Sequence, residues 1–172
     1  MKNLASIVVA LALTTAAGAA FAGEGKELKN ESANFRVDVP PRNWVEAHRG
    51  EILAMETTDR TMVVEIVGHP NQEMTLKAAE FDTGAATRHL GRSLGEVKLN
   101  GEVKEIRHNT MPCIEYTGAA TRRDGGAVDF VALTCKTAER KGVTAVMFAT
   151  PTGMERHRVG ARIIFGSLRP IR

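Results

Sequence analysis

The two cysteines of this 172-residue chain stand at equal distances from a strong turn signal, and this symmetry constrains the fold more than any other feature. Cys113 and Cys135 lie in two apolar segments that are joined by R-R-D-G-G at 122–126, a sequence typical of a hairpin turn. Each cysteine is 11 residues from Asp124, the centre of that turn. We therefore predict an antiparallel hairpin in which Cys113 and Cys135 face each other.

The amino-terminal segment indicates export from the cytoplasm. A positive residue precedes the short apolar run Ile7–Leu13, and an A-x-A cleavage signal ends at Ala22, so that Gly23 is the expected mature amino terminus. We expect residues 1–22 to be a secretory signal peptide and the protein to reach the periplasm or the medium. A membrane anchor is the alternative, but the run is shorter than the ~20 residues that span a bilayer. No later stretch is apolar enough to span one.

Export gives the cysteines a chemical role, because disulfides persist in oxidising compartments. Facing residues of a non-hydrogen-bonded antiparallel pair bring their Cβ atoms to roughly 4.5–5.5 Å, so a small adjustment allows a bridge. We predict a disulfide between Cys113 and Cys135, which stabilises the fold by about 3 kcal/mol in the chain-entropy treatment. The alternative is a pair of buried thiols. A redox-active pair is not indicated, since no C-x-x-C motif is present.

Hydrophobic periodicity predicts an α+β fold in the order β-β-β-α-β-β-β-β-α. Apolar residues that recur at steps of three and four predict one helix from about Thr75 to Leu94 and another that begins at Pro151. The hairpin-length connections make the strands antiparallel. We therefore predict one domain over residues 23–172, an antiparallel sheet of about six or seven strands packed with two main helices. The predicted strands are 35–39, 52–56, 62–67, 97–108, 113–121, 128–137 and 143–150.

This order of elements resembles the PsbP-like domain family, which includes PsbP of oxygen-evolving photosystems, the Mog-type Ran-binding import factor and bacterial periplasmic relatives. The similarity extends from about Asn34 to Pro170. It is carried by F-R-V-D-V-P-P at 35–41 with Trp44 after it, by the single long helix between the opening hairpin and the later strands, and by I-I-F-G-S-L-R-P at 163–170. The resemblance implies an adaptor or accessory subunit and provides no catalytic residues to carry over.

Known motifs for catalysis, cofactors or metals do not occur in the sequence. There is no G-x-S-x-G nucleophile motif and no P-loop, and no cofactor is predicted. The five histidines fall on separate predicted elements, and none pair at a metal-ligand spacing: His48, His69, His89, His108 and His157. We therefore predict a non-catalytic accessory or interaction domain that binds a protein partner in the cell envelope. A small-ligand or metal-binding carrier is the second interpretation, and an unrecognised hydrolase is the third.

Basic residues form two patches, and these are the predicted partner surface. The formal net charge is only +3 and the aromatic content only 5%, so nucleic acid is not expected as a partner. The patches would fit an acidic protein surface or anionic lipid. The alternative is a solvated helix face whose cations complement the helix dipole. The residues of the two patches are Arg122 and Arg123 at the hairpin tip, and Arg156, Arg158 and Arg162 on the last helix.

Overall fold

The structure, a computed structural model, describes residues 26–40, 42–49, 52–90, 94–122 and 125–171. The predicted signal peptide, its cleavage site at Ala22 and Gly23, and Arg123 lie outside the described residues, so they stay predictions.

Two antiparallel sheets and two helices make up the described fold. The strands are β1 (Lys26–Asn30), β2 (Phe35–Val39), β3 (Trp44–Arg49), β4 (Ile52–Thr57), β5 (Met62–His69), β6 (Leu94–Leu99), β7 (Lys104–His108), β8 (Met111–Arg122), β9 (Ala127–Ala138), β10 (Lys141–Ala149) and β11 (Arg169–Pro170). The helices are α1 (Thr83–Leu90) and α2 (Pro151–Ser167), and a single 3-10 turn, Ala78–Glu80, precedes α1. None of these helices is long and apolar enough to span a bilayer.

The large sheet has eight strands, in the order β3-β4-β5-β10-β9-β8-β6, and β7 pairs with the other half of β8. The small sheet has the order β1-β2-β11. The predicted α+β class, the antiparallel pairing and the two main helices are confirmed. The strands form two sheets where one was predicted, and the predicted strand 97–108 is divided into β6 and β7. Three short strands were not predicted, β1, β3 and β11. β1 buries only Leu28 and β11 has two residues, so neither has a periodic pattern long enough to detect.

The central hairpin has the predicted register. β8 and β9 pair without a shift from Cys113 opposite Cys135 to Thr121 opposite Ala127. The cysteine Cα atoms are 4.1 Å apart and the two residues form a buried disulfide, as predicted. Symmetry about a turn therefore predicted both the pairing of two strands and the covalent link between them.

The first helix is shorter than predicted, and Thr75 is not its amino-terminal cap. α1 begins after Asp82, whose Oδ1 accepts a hydrogen bond from the backbone N–H of Ala85 at 2.8 Å. A carboxylate in this position satisfies a free amide of the first turn and favours the start of a helix there. Thr75 lies instead in the extended segment between β5 and the 3-10 turn.

The second helix begins at Pro151, as predicted. The Oγ1 of Thr150 accepts a hydrogen bond from the Gly153 N–H at 3.0 Å, and proline is well suited to the first helical position because its missing N–H has no partner there. Two glycines let α2 approach its neighbours closely: Gly153 lies against the backbone of Thr61, and Gly160 lies against the indole of Trp44.

The large sheet separates two hydrophobic clusters. The α2 side contains Ile164 and Phe165 of α2, the disulfide and the apolar residues of β2. The α1 side contains Leu90 of α1 and the aromatic rings of Tyr116 and Phe130. Each helix therefore covers its own face of the sheet, and a functional site on one face is separate from a site on the other.

Candidate functional site

The outward face of α2 carries two of the predicted basic residues beside an exposed apolar side chain. Arg158 and Arg162 are exposed and lie one helical turn apart. Val159 lies next to them and is 63% exposed. No carboxylate of the described residues forms an ion pair with Arg158 or Arg162. We call these three residues the α2 outward face.

Other arginines of the α2 side are engaged within the protein. Arg169 donates to both carboxylate oxygens of Asp38, at 2.9 and 3.0 Å, and to Glu27 at 2.9 Å. These contacts tie the end of the chain to β1 and β2, and they raise the pKa of Arg169. Arg156, which was predicted to be part of the partner surface, donates to Asp59 at 2.8 Å. Arg158 and Arg162 therefore differ from their neighbours in facing outward without an internal carboxylate.

Asp59 forms the junction between the β4–β5 turn and the start of α2. Its Oδ2 lies 2.9 Å from the Nε2 of His157, and its Oδ1 accepts hydrogen bonds from the hydroxyls of Thr57 and Thr61 at 2.8 and 2.7 Å. The contact with His157, followed by that with Thr61, holds the pKa of Asp59 well below its usual range. Sequence reasoning missed this residue, although a threonine two positions to each side of an aspartate is a signal for such a turn.

His157 lies on the inner face of α2. It is 9% exposed, and its ring meets the edge of the Trp44 indole with 6.4 Å between ring centroids. Because its Nε2 is occupied by Asp59, its role in the structure is to fasten α2 to the neighbouring hairpin.

Arg122 lies on the opposite side of the sheet from the arginines of α2. Its guanidinium carbon is 5.8 Å from the centroid of the Phe148 ring, and Phe148 belongs to the α1-side cluster. The structure therefore keeps Arg122 apart from the arginines of α2, and one flat partner surface does not contact both.

A row of buried polar side chains crosses four neighbouring strands on the α1 side. The Nε2 of His69 lies 3.0 Å from the Oγ1 of Thr144, which lies 3.0 Å from the Oγ1 of Thr134. The Thr134 hydroxyl is in turn 3.1 Å from the phenol oxygen of Tyr116. Burial raises the pKa of Tyr116, so this phenol stays protonated at physiological pH. We call these four residues the polar row.

His89 projects from α1 toward the polar row. It is 1% exposed, stacks on Phe81 at 5.9 Å and meets the edge of the His69 ring at 5.6 Å. Its Nδ1 is 3.5 Å from the Nε2 of Gln72, and its own Nε2 has no hydrogen-bond partner. Burial, with smaller contributions from His69 and Arg88, lowers the pKa of His89 to about 4.

The histidines do not gather into one centre. His69 and His89 contact each other, His157 contacts Asp59, and burial lowers the pKa of His108 on the α2 side. The side chain of His48 lies outside the described residues. Within the described part of the chain, no three His, Cys, Asp or Glu side chains lie close enough together to hold a metal ion.

Comparison with known proteins identifies the fold. No family model and no curated protein sequence matches the chain. Among solved structures, it resembles cyanobacterial PsbP (CyanoP) from Synechocystis sp. PCC 6803, with a TM-score of 0.57 and 6% identity over 90% of this chain and 97% of that chain. It also resembles a protein from Bacteroides thetaiotaomicron, with a TM-score of 0.54 and 14% identity over 87% of this chain and 50% of that chain. The chain thus spans about half the length of the second protein.

These similarities show that the chain has a PsbP-like fold, which confirms the resemblance predicted from the sequence motifs. At such identities they show the fold alone, and function has to be argued from the sites described above.

Proposed function

We propose that this protein is an exported, non-catalytic accessory domain that docks through the α2 outward face onto an acidic surface of a protein partner in the cell envelope. Three observations support the proposal: the PsbP-like fold, the signal-peptide pattern with a disulfide, and the arrangement of Arg158, Val159 and Arg162.

The observation that carries the proposal is the exposed Val159 beside two arginines that form no ion pair with a carboxylate of the described residues. Arginine is enriched at protein interfaces, and an exposed apolar side chain beside it is surface that a partner can remove from water. The fork of each guanidinium matches a carboxylate, so Asp or Glu side chains on the partner are the complementary groups.

Anionic lipid is a weaker match for the same face. Each basic residue near a charged membrane surface contributes about 1 kcal/mol, so two arginines and one valine give only marginal attachment. Carboxylates on a protein can instead form two hydrogen bonds with each arginine and exclude water around the valine. The partner we commit to is therefore a protein.

The disulfide supports the export part of the proposal, because Cys113–Cys135 is expected to persist only in an oxidising compartment. Mass spectrometry of the protein recovered from the envelope fraction tests this part. We expect an intact mass that begins at Gly23 and contains the disulfide. A mass that includes residues 1–22, or two free thiols, would contradict it.

Site-specific photo-crosslinking in the native cell tests the docking part. A photoreactive amino acid at position 159 should give one discrete adduct, whereas the same group at Glu139, exposed in the β9–β10 turn, should give none. The adduct should disappear in the R158E/R162E variant and remain in K98E/K136E, a double charge reversal of the same size at exposed positions of β6 and β9.

Two results would overturn the docking proposal. The first is an adduct at position 159 that R158E/R162E leaves unchanged, since charge would then play no part. The second is the absence of a protein adduct from position 159 in the otherwise wild-type protein, together with binding of the wild-type protein, but not of R158E/R162E, to vesicles containing an anionic phospholipid. That outcome would identify a lipid surface as the occupant.

A further inference from the structure

On the α1 side of the sheet, the imidazole of His89 is buried, and no carboxylate of the described residues pairs with it. The Nε2 of His89 has no hydrogen-bond partner. The titratable groups that oppose a charge on its ring are His69 from β5 and Arg88 from its own helix. From β8 and β10 the nearby groups are the neutral hydroxyls of Tyr116 and Thr144.

Most carboxylates of the surrounding segments are directed elsewhere. Glu65 of β5 is buried on the same side of the sheet, but it lies four residues from His69, roughly 13 Å along the strand. Asp82 accepts from the N–H of Ala85, Glu80 pairs with Lys77, and Glu105 accepts from the N–H of Ala78. Glu73, next to Gln72 in the chain, is exposed. Protonated His89 would therefore be a buried cation without a counter-ion, which is strongly unfavourable in a protein interior.

The segment that carries His89 is attached to the sheet by few side chains. α1 has eight residues, and its buried residues are Ala85, Ala86, His89 and Leu90. Two of these four are alanines, which bury little surface, and a helix of this length is not stable by itself in water. Residues 78–90, which we call the α1 segment, are thus held largely by Phe81, His89 and Leu90.

The rest of the domain has independent support. The disulfide and the cluster under α2 lie on the other face of the sheet and contain no residue of the α1 segment. Loss of the α1 segment would leave the strand pairing of β5, β10, β9 and β8 intact. Such separation allows local opening at a lower free energy than global unfolding.

We propose that the α1 segment is an acid-released lid: uptake of a proton by His89 detaches residues 78–90 from the sheet and uncovers the polar row while the α2 side stays folded. The proposal is independent of the docking function. An exported protein meets the pH of its surroundings, so the lid would respond to acidification outside the cytoplasm.

Hydrogen exchange distinguishes local opening from global unfolding, because the amides of β2, which packs on the α2 side, report on the rest of the domain. Between about pH 7 and about pH 4.5, the opening equilibrium of the α1 amides, corrected for intrinsic exchange rates, should rise roughly 50- to 100-fold. The amides of β2 and β10 should keep their protection.

The variant H89Q removes the titrating group, and its α1 amides should show no such rise. H108Q is the matched control, since His108 is also a buried histidine but lies near Phe165 on the α2 side, and its lid response should equal that of the wild type. If H89Q does not fold, NMR of the His89 ring in the wild-type protein replaces it. The ring and the α1 amides should then titrate with one midpoint.

Several outcomes would overturn the lid proposal. They are α1 protection that stays constant down to about pH 4.5, an unchanged rise in H89Q, different midpoints for the His89 ring and the α1 amides, or a loss of protection at the β2 and β10 amides that accompanies the opening. The last result would mean that the whole domain unfolds and that no lid exists.

Discussion

Asp59 joins two parts of the chain that are far apart in sequence. It accepts hydrogen bonds from Thr57 and Thr61 within its own turn and contacts His157 and Arg156 of α2. Because these contacts favour the ionised carboxylate, they contribute stability only while Asp59 carries its charge.

We therefore expect D59N to destabilise the protein at neutral pH, with a deficit that shrinks as the pH falls. The pKa of Asp59 is lower in the folded state than the ordinary value, so its contribution is complete above about pH 5 and is lost as the pH falls through and below the ordinary carboxyl range. Urea unfolding of D59N and wild type across this range measures the difference. D129N, at an exposed position of β9, should show no deficit, and a deficit for D59N that is independent of pH would contradict the prediction.

At the scale of the element, two glycines of α2 have different surroundings: Gly160 lies in close contact with Trp44, whereas Gly166 faces open space. A Cβ atom on residue 160 would meet the Nε1 atom of Trp44 at 2.6 Å, whereas one on residue 166 would meet nothing within 4 Å.

Alanine substitutions at these two glycines should consequently change the free energy of unfolding in opposite directions. G166A should raise the free energy of unfolding by up to about 1 kcal/mol, because alanine loses less conformational entropy in a helix than glycine. G160A gains the same propensity but forces the indole or the helix to move, at a cost of roughly 1–3 kcal/mol. Thermal unfolding with Trp44 fluorescence compares them. Stabilisation by both substitutions would mean that α2 does not pack on Trp44 as described.

The β8–β9 hairpin has its register specified twice, once by the turn and once by the disulfide. The bridge spans a sequence separation of 22 residues, for which the chain-entropy treatment gives about 3 kcal/mol. The strand pairing continues without a shift from the bridge to Thr121 opposite Ala127.

We expect the C113A/C135A variant to fold with the same hairpin register but to lose about 3 kcal/mol of unfolding free energy. Urea titration measures the loss, and cross-strand NMR contacts between residues 117 and 131 report the register. Titration of the denatured, non-reduced wild-type protein is the control and should find no free thiol. Two free thiols would exclude the bridge.

At the scale of the whole molecule, the large sheet keeps the proposed docking face and the proposed lid on opposite sides. The α2 outward face belongs to the helix over the disulfide side, and His89 contacts the polar row on the other side. Sites that share no packing partners are expected to act additively.

We therefore expect R158E/R162E to leave the acid response of the α1 amides unchanged, and H89Q to leave photo-crosslinking from position 159 unchanged. The triple variant that combines all three substitutions should show the sum of the separate effects. Hydrogen exchange measures the acid response of the α1 amides, and crosslinking on the same preparations measures the adduct from position 159. A lid response that shifts in R158E/R162E would show coupling through the sheet and would contradict the separation described above.

Much of the fold could be predicted because its signals are local. The alternation of apolar and polar residues at 35–39 and the turn signal at 122–126 depend on near neighbours in the chain. The proline at position 151 is likewise a local signal for the first residue of a helix. The predicted start of α1 was wrong, because Thr75 and Asp82 are both acceptable amino-terminal caps. The packing of Phe81 and of the 3-10 turn decides between them. The arginines of α2 were predicted as a group, but only the structure separates Arg156, held by Asp59, from Arg158 and Arg162.

The sequence by itself determined the register of Cys113 with Cys135 and the antiparallel α+β class, since both follow from distances along the chain. Only the tertiary structure decided that His157 meets Asp59, 98 residues away, and that His89 lies against His69 beneath α1. Those contacts depend on how separate elements pack across the sheet, and no local pattern contains that information. The candidate docking face and the candidate lid are both products of that packing.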